Sequence, residues 1–349
     1  MGSTALKGFP SGEVTGRETR LSAQLLRKET LMKRNDFRGI IPPLITPLTP
    51  DGDVDVASLR RLARYVVDGG VDGLWVLGAT GQFHTLTERQ RDVVTDTVID
   101  EANGKVPVLI GCIDSGPDRC IERGKRAKAS GADGIFATAP IYDKVTQVEV
   151  LAHFRWIHEC IDLPLVAYDA SYATQTPMEI STVVELAEEG TLVGIKDSAD
   201  FSDFPHLLAQ LRHLPEFSVL TGHTCLADAA YLLGAAGCVP TLGNLIPSTY
   251  AKIREAAKRG DWAAARRSQD EAVSLHNVQR CWEPASIAIV AKSLGLCKTV
   301  LKLLGVIECS NPGRPYPSPT PEQEDRVRIE LERLGMLRSE SALSSPSGR

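Results

Sequence analysis

No stretch of this 349-residue sequence approaches the run of about 18 apolar residues that a membrane-crossing helix needs, so no membrane span is expected. Its first ten residues, Met1 to Pro10, lack the charged-then-apolar order of a secretory signal. A basic excess is missing too: 39 Lys and Arg face 44 Asp and Glu, and the net charge of −5 gives no global pull toward nucleic acid. No Cys-x-x-Cys pair occurs among the eight cysteines (112, 120, 160, 225, 238, 281, 297 and 309). Scattered in apolar or helical contexts, they read as reduced core thiols of a cytoplasmic protein. Neither Gly-x-Gly-x-x-Gly nor a Walker sequence is present, which removes the dinucleotide and nucleotide-triphosphate readings. Of the seven histidines only His84 and His223 fall near expected strand ends, and His153 and His158 lie on different helix faces. No metal site is expected.

What is present is an alternation of short apolar runs and amphipathic segments. Candidate strands are Ile40–Thr46, Gly73–Gly78, Pro107–Gly111, Gly134–Ala139, Pro164–Tyr168, Leu192–Lys196, Phe217–Thr221 and Cys238–Leu242. Leu59, Leu62, Ala63 and Val66 follow the i, i+3, i+4, i+7 spacing of a helix face. Thr87 with Gln90 predicts a capping box on the next helix. Eight strand–helix units predict an α/β fold, a (β/α)8 TIM barrel. A glycine, two residues, glycine, apolar-strand pattern recurs at Gly70-Val-Asp-Gly, Gly131-Ala-Asp-Gly and Gly234-Ala-Ala-Gly, as expected for left-handed helix caps opening strands two, four and eight. Helices near Trp262–Asn277, Pro284–Leu294 and Pro321–Leu334 then form a C-terminal helical extension. The expected division is a disordered N-terminal extension over 1–35, the barrel over 36–260, the C-terminal helices over 261–338, and a disordered tail over 339–349.

In such a barrel, chemistry gathers at the C-terminal ends of the strands. That rule selects Thr46, the Gly78-Ala79-Thr80-Gly81 turn, Tyr142, Tyr168, Lys196, His223 and Thr241. Lys196 closes strand six, where a lumen would desolvate its ammonium and favour the neutral amine that a Schiff-base nucleophile needs. On pattern alone, a lysine reaching out to solvent fits as well. Tyr168 ends the neighbouring strand and suits proton transfer beside that amine, or a buried phenol bonded to backbone. The 78–81 turn offers N–H groups and a hydroxyl to a carboxylate.

Together, Gly-Ile-Lys196-Asp-Ser, Leu-Val-Ala-Tyr168, Pro140-Ile-Tyr142, Gly78-Ala-Thr-Gly81, Phe37-Arg-Gly-Ile…Thr46-Pro and Trp282-Glu-Pro…Lys292-Ser-Leu-Gly295 make the sequence resemble the dihydrodipicolinate synthase / N-acetylneuraminate lyase family from about Phe37 to Leu337. The resemblance implies class I aldolase chemistry without a separate cofactor: Lys196 forms a covalent imine with pyruvate or another 2-oxo acid, and an aldehyde is the second partner. It further implies that Tyr168 shuttles protons and that Ala79, Thr80 and the backbone at Val239 bind substrate. Tyr142 matches the tyrosine that family members insert into a neighbouring subunit, implying a homodimer paired into a homotetramer. Three positions depart from the family's pattern. Ala79 and Gln82 stand in a turn that usually reads Gly-Thr/Ser-Thr-Gly-Glu. Ala173 stands where dihydrodipicolinate synthases carry an arginine for the second substrate's carboxylate. The expected activity is therefore lyase or aldolase action on a different 2-oxo acid, with Tyr172 and His223 facing a neutral, hydroxylated or aromatic portion. Dehydration or deamination through the same imine, 4-hydroxy-tetrahydrodipicolinate synthesis, and a non-catalytic barrel that binds a 2-oxo acid are the alternatives.

Overall fold

Pro42 and Pro43 bring no N–H to a ladder, so the first strand cannot run unbroken. In a computed structural model of the chain, which describes residues 37–282 and 289–337, regular strand β1 covers only Gly39–Ile40. Beyond it the backbone continues as a bridge: Trp75 N–H donates to Pro42 O at 3.0 Å and Leu44 N–H to Trp75 O at 2.8 Å. Asn244 completes the junction, its amide donating to Pro43 O at 2.9 Å and its carbonyl accepting from Ile45 N–H at 3.1 Å. A fully buried side chain thus pairs the backbone groups that the prolines leave without a ladder partner.

The remaining strands are β2 (Leu74–Val76), β3 (Val108–Gly111), β4 (Gly134–Ala137), β5 (Leu165–Asp169), β6 (Gly194–Asp197), β7 (Ser218–Thr221) and β8 (Gly237–Cys238). All pair in parallel in the order β1-β8-β7-β6-β5-β4-β3-β2, and the Pro43–Trp75 bridge joins the two ends. This is the (β/α)8 barrel. The expected last strand, Cys238–Leu242, is cut short after Cys238, since Thr241–Asn244 coil into a 3-10 turn following Pro240. The helices are α1 (Val56–Asp68), α2 (Glu88–Ala102), α3 (Pro117–Ser130), α4 (Gln147–Cys160), α5 (Ser171–Thr174), α6 (Ile180–Glu188), α7 (Phe204–Leu211), α8 (Ala227–Leu233), α9 (Pro247–Lys258), α10 (Trp262–His276), α11 (Ile289–Leu303) and α12 (Pro321–Arg333). Thr87 and Gln90 form the expected capping box at α2. No helix among the described residues is long and apolar enough to cross a membrane. The expectations for residues 1–35, for Glu283-Pro284 and for the tail over 339–349 lie outside the described residues.

Strand alternation divides the apolar residues into two cores. Val76, Ile110, Ile135, Ala167, Ile195 and Val219 face outward into the helix layer. Ile41, Trp75, Leu109, Phe136, Val166, Tyr168, Leu220 and Val239 fill the lumen. The recurrent glycines cap as expected: Gly131 (φ 93°) and Gly234 (φ 99°) end α3 and α8 in left-handed conformation. The aspartates of the first two copies add a latch, Asp72 accepting from Ile40 N–H at 2.8 Å and Asp133 from Val108 N–H at 3.0 Å. The third copy has Ala236 there, so the β7–β8 seam relies on the backbone bond from Ala236 N–H to Val219 O at 2.9 Å.

A Cβ on Gly131 would meet only Ile99 Cγ2 at 3.8 Å, so the cost of alanine there is conformational alone. Gly131→Ala is expected to destabilise the fold by about 1–2 kcal/mol, read as a lowered denaturant midpoint at unchanged slope. A wild-type midpoint would show that α3 closes without a left-handed cap.

Candidate functional site

Inward positions on β5 and β6 are directly paired, Tyr168 opposite Lys196. The Lys196 ammonium nitrogen lies 4.0 Å from the centre of the Tyr168 ring and 5.2 Å from that of Trp75. Trp75 stacks on Phe136 with centroids 3.7 Å apart and meets Tyr168 edge-on at 5.9 Å. Lys196 is thus walled by aromatic rings, 6% exposed, with no carboxylate at ion-pair distance among the described residues. Ring faces favour a cation, but burial outweighs them and lowers the amine to a pKa of about 7 from its ordinary 10.5. A useful fraction is neutral near physiological pH. The solvent-reaching alternative for this lysine does not describe the geometry.

Tyr168 is likewise buried, and its hydroxyl lies 3.0 Å from that of Tyr172, an exposed residue on α5 just beyond β5. Burial first, and the neighbouring Tyr172 next, raise the Tyr168 phenol well above its usual value, while the Ser198 side chain at the end of β6 pulls it down. The adjacent Asp169 and Asp197 point to the opposite face of the strands. Burial raises both, Asp169 to about 7, and they bond to the backbone N–H groups of Met178 and Ala199. Neither is a partner for the amine.

The turn after β2 is held under strain. Leu77 and Gln82 bracket it with φ of 60° and 62°, unusual for side chains of this size. Thr46 Oγ1 donates to Gly81 O at 2.8 Å. Gln82, fully buried, accepts from Lys298 Nζ at 2.7 Å and donates to Pro312 O. Lys298 Nζ donates also to Asn311 O at 2.9 Å, and Asn311 donates to Thr49 O at 2.8 Å. The C-terminal segment therefore clamps the turn that carries Ala79 and Thr80. Thr80 and Thr241 bring their hydroxyls 3.5 Å apart across the β2 and β8 ends. His223 faces Ala199 O at 2.9 Å.

Of the residues chosen from sequence, the structure brings Lys196, Tyr168 and Val239 into or against one lumen wall, and places Ala79 and Thr80 on the rim above it. Tyr142 is not brought to this chain's own site. It stands 82% exposed with φ 87°, its carbonyl accepting from Gln175 Nε2 at 2.8 Å. Sequence reasoning missed the Gln82–Lys298 clamp and the Tyr168–Tyr172 contact. A signal for the first existed: Lys298 sits three and four residues from Leu301 and Leu294, on the apolar face of α11. Trp75 as a wall for Lys196 was readable from strand alternation.

A family model described as the dihydrodipicolinate synthetase family matches residues 36–333. A 4-hydroxy-tetrahydrodipicolinate synthase of Roseobacter denitrificans is 31% identical over 270 residues, covering 76% of this chain and 91% of the relative. One from Salinibacter ruber is 33% identical over 273 residues, covering 76% and 89%. Among solved structures, an E. coli K12 prophage protein of the dihydrodipicolinic acid synthase family, in complex with pyruvate, superposes with TM-score 0.80 at 26% identity. That superposition covers 86% of this chain and 99% of the other. The dihydrodipicolinate synthase of Aquifex aeolicus gives 0.77 at 28% identity, covering 87% and 100%.

Folding lowers the Lys196 pKa from 10.5 to about 7, so below pH 7 both states hold the proton and the burial cost is fully present. Between 7 and 10.5 the unfolded chain holds more protons, and stability rises with pH. Lys196→Met is expected to stabilise the fold by roughly 2–5 kcal/mol at pH 6, with denaturation curves converging with wild type above pH 10.5. A variant no more stable than wild type at pH 6 would mean that the amine is hydrated.

Proposed function

The chain belongs to the dihydrodipicolinate synthetase family, lyases of the class I aldolase type, and from that premise we propose that Lys196 forms an imine with pyruvate or the pyruvoyl end of a larger 2-oxo acid, so that a carbon–carbon bond beside it is broken or made. The observation that carries this reading is the buried, carboxylate-free amine of Lys196 paired in register with Tyr168. A neutral amine attacks a carbonyl, and the imine that follows withdraws electrons from the bond to be cleaved. Tyr168 is the proton donor and acceptor for the departing hydroxyl. Thr80 and the N–H groups of the 78–82 turn hold the carboxylate. Val239, packed into the same wall, lines the pyruvoyl pocket. No separate cofactor enters this scheme. A cytoplasmic site of action is part of it, supported by seven free cysteines among the described residues.

The second substrate portion is neutral in this reading. Ala173 carries no cation, and the polar groups gathered on the rim among the described residues include the hydroxyls of Thr80, Tyr172, Ser198 and Thr241 and the His223 imidazole. The competing reading, 4-hydroxy-tetrahydrodipicolinate synthesis, is favoured by the names of the curated relatives. A missing charge-assisted bond costs about 1.5–3 kcal/mol, roughly a 10- to 150-fold penalty on aspartate-semialdehyde. Comparing kcat/KM for that condensation with retro-aldol cleavage of neutral hydroxylated 2-oxo acids separates the two. Efficient condensation, at about 10⁴ M⁻¹s⁻¹ or above, overturns the preference.

Imine formation has a direct test. Pyruvate followed by borohydride should leave a reduced adduct on the peptide bearing Lys196 and abolish activity. Lys196→Arg should lose turnover by more than about 10³-fold, because guanidinium stays protonated. Activity that survives trapping with an unmodified Lys196 defeats the mechanism.

Tyr142 is assigned to the neighbouring subunit's site in a homodimer or homotetramer, supported by its exposure and its left-handed backbone. Inactive Lys196→Arg and inactive Tyr142→Phe chains, mixed and reassembled, should regain part of the activity. Demonstrably mixed oligomers without activity would return Tyr142 to its own subunit.

A further inference from the structure

We propose that Tyr172 is the route by which protons reach and leave Tyr168, a positioning residue that acts through the Tyr168 hydroxyl. The inference rests on the Schiff-base reading above. The Tyr168 ring is sealed among Trp75, Phe136 and the lumen wall, 3% exposed, and no carboxylate from its own or the paired strand faces it. Two polar side chains flank its hydroxyl: Ser198, and the Tyr172 hydroxyl at 3.0 Å. Of the two, Tyr172 is the one that stands open to bulk water, its residue 62% exposed, whereas Ser198 is partly buried.

The chain is built to hold it there. Strand β5 passes straight into α5, whose turn is fixed by Ala173 N–H to Ala170 O at 2.7 Å and Thr174 N–H to Ala170 O at 3.1 Å. Thr174 Oγ1 donates to Thr176 O at 3.0 Å, and Gln175 ties the segment to the carbonyl of Tyr142. The phenol four residues beyond Tyr168 is thereby returned over the strand end.

The chemistry balances without any further reagent. Attack of the Lys196 amine on C2 of pyruvate forms the N–C2 bond and, with proton transfer from nitrogen to oxygen, a carbinolamine. Tyr168 gives its proton to the carbinolamine hydroxyl, the C2–O bond breaks, water leaves, and the nitrogen lone pair completes the iminium. The Tyr168 phenolate then takes a proton from C3, whose C–H pair becomes the C2–C3 double bond as the iminium pair returns to nitrogen. That proton is exchanged as Tyr168 donates to Tyr172, Tyr172 releases its own proton to water, and a solvent proton returns along the same path, leaving both phenols neutral.

Pyruvate alone in deuterated water tests this, since methyl hydrogens exchange with solvent only if the C3 proton leaves the site. In Tyr172→Phe, exchange followed by NMR should slow by about tenfold or more, whereas borohydride still labels Lys196 at saturating pyruvate. A small exogenous proton carrier such as imidazole should restore part of the exchange, which no purely structural role would permit. Wild-type exchange in Tyr172→Phe, with trapping intact, overturns the relay and leaves the imine standing. Failure of the wild-type chain to trap pyruvate at all overturns the Schiff-base reading and the relay with it.

Discussion

Removing one ammonium group from water is the constraint around which this barrel is arranged. A lysine at the inward end of a parallel strand can discard its charge only if the lumen beneath it is dry and no carboxylate answers it. Trp75, Phe136 and Tyr168 provide the dry wall, and strand alternation sends Asp169 and Asp197 to the opposite face. Had either carboxylate faced inward, the attraction would have held Lys196 protonated. The aromatic content of the chain is low, yet two of its rings, Trp75 and Tyr168, face this amine and a third, Phe136, packs behind them.

The C-terminal helices serve the site as well as the fold. Lys298 is a second buried lysine whose pKa burial lowers to about 7, but two of its N–H donors are committed. It binds the Gln82 amide oxygen and the Asn311 carbonyl, neutral acceptors that neither require its charge nor compensate it. The strain at Leu77 and Gln82 persists because this clamp and Thr46 over-determine the turn. Two lysines with similarly lowered pKa thus differ in chemistry: one is left open toward the mouth, and the other is spent on geometry.

Much of this could be read from residue order. Central strands were legible because their continuous apolar runs are bounded by glycine or proline, and the capping box at Thr87 and the left-handed caps at Gly131 and Gly234 because their chemistry is local. The (β/α)8 class followed from counting. Legibility failed where long-range pairing substitutes for local pattern. The Pro42-Pro43 strand is completed by Asn244, about 200 residues away, and Gln82 by Lys298, 216 residues away. Ala79 reads as a lost hydroxyl, and nothing in a one-dimensional pattern reveals that Tyr172 returns a hydroxyl to Tyr168 from the following helix. Tyr142, chosen from sequence, stands exposed on its loop and is not buried in this chain's lumen.

The seam between β1 and β8 has a mechanical meaning. Only Gly39–Gly237 and Ile40–Cys238 pair there, β8 holds β7 by two pairs as well, and a single Pro43–Trp75 bridge joins the β1 segment to β2, against four register pairs between β5 and β6 or β6 and β7. Bonds break first where fewest act in parallel, so thermal breathing of this barrel concentrates along that line. Thr241 lies at its upper end, opposite Thr80, whereas Lys196 and Tyr168 sit on the most fully paired staves. The protein is a vessel with one compliant side: the wall that holds Lys196 stays rigid, and the wall that carries Thr241 gives.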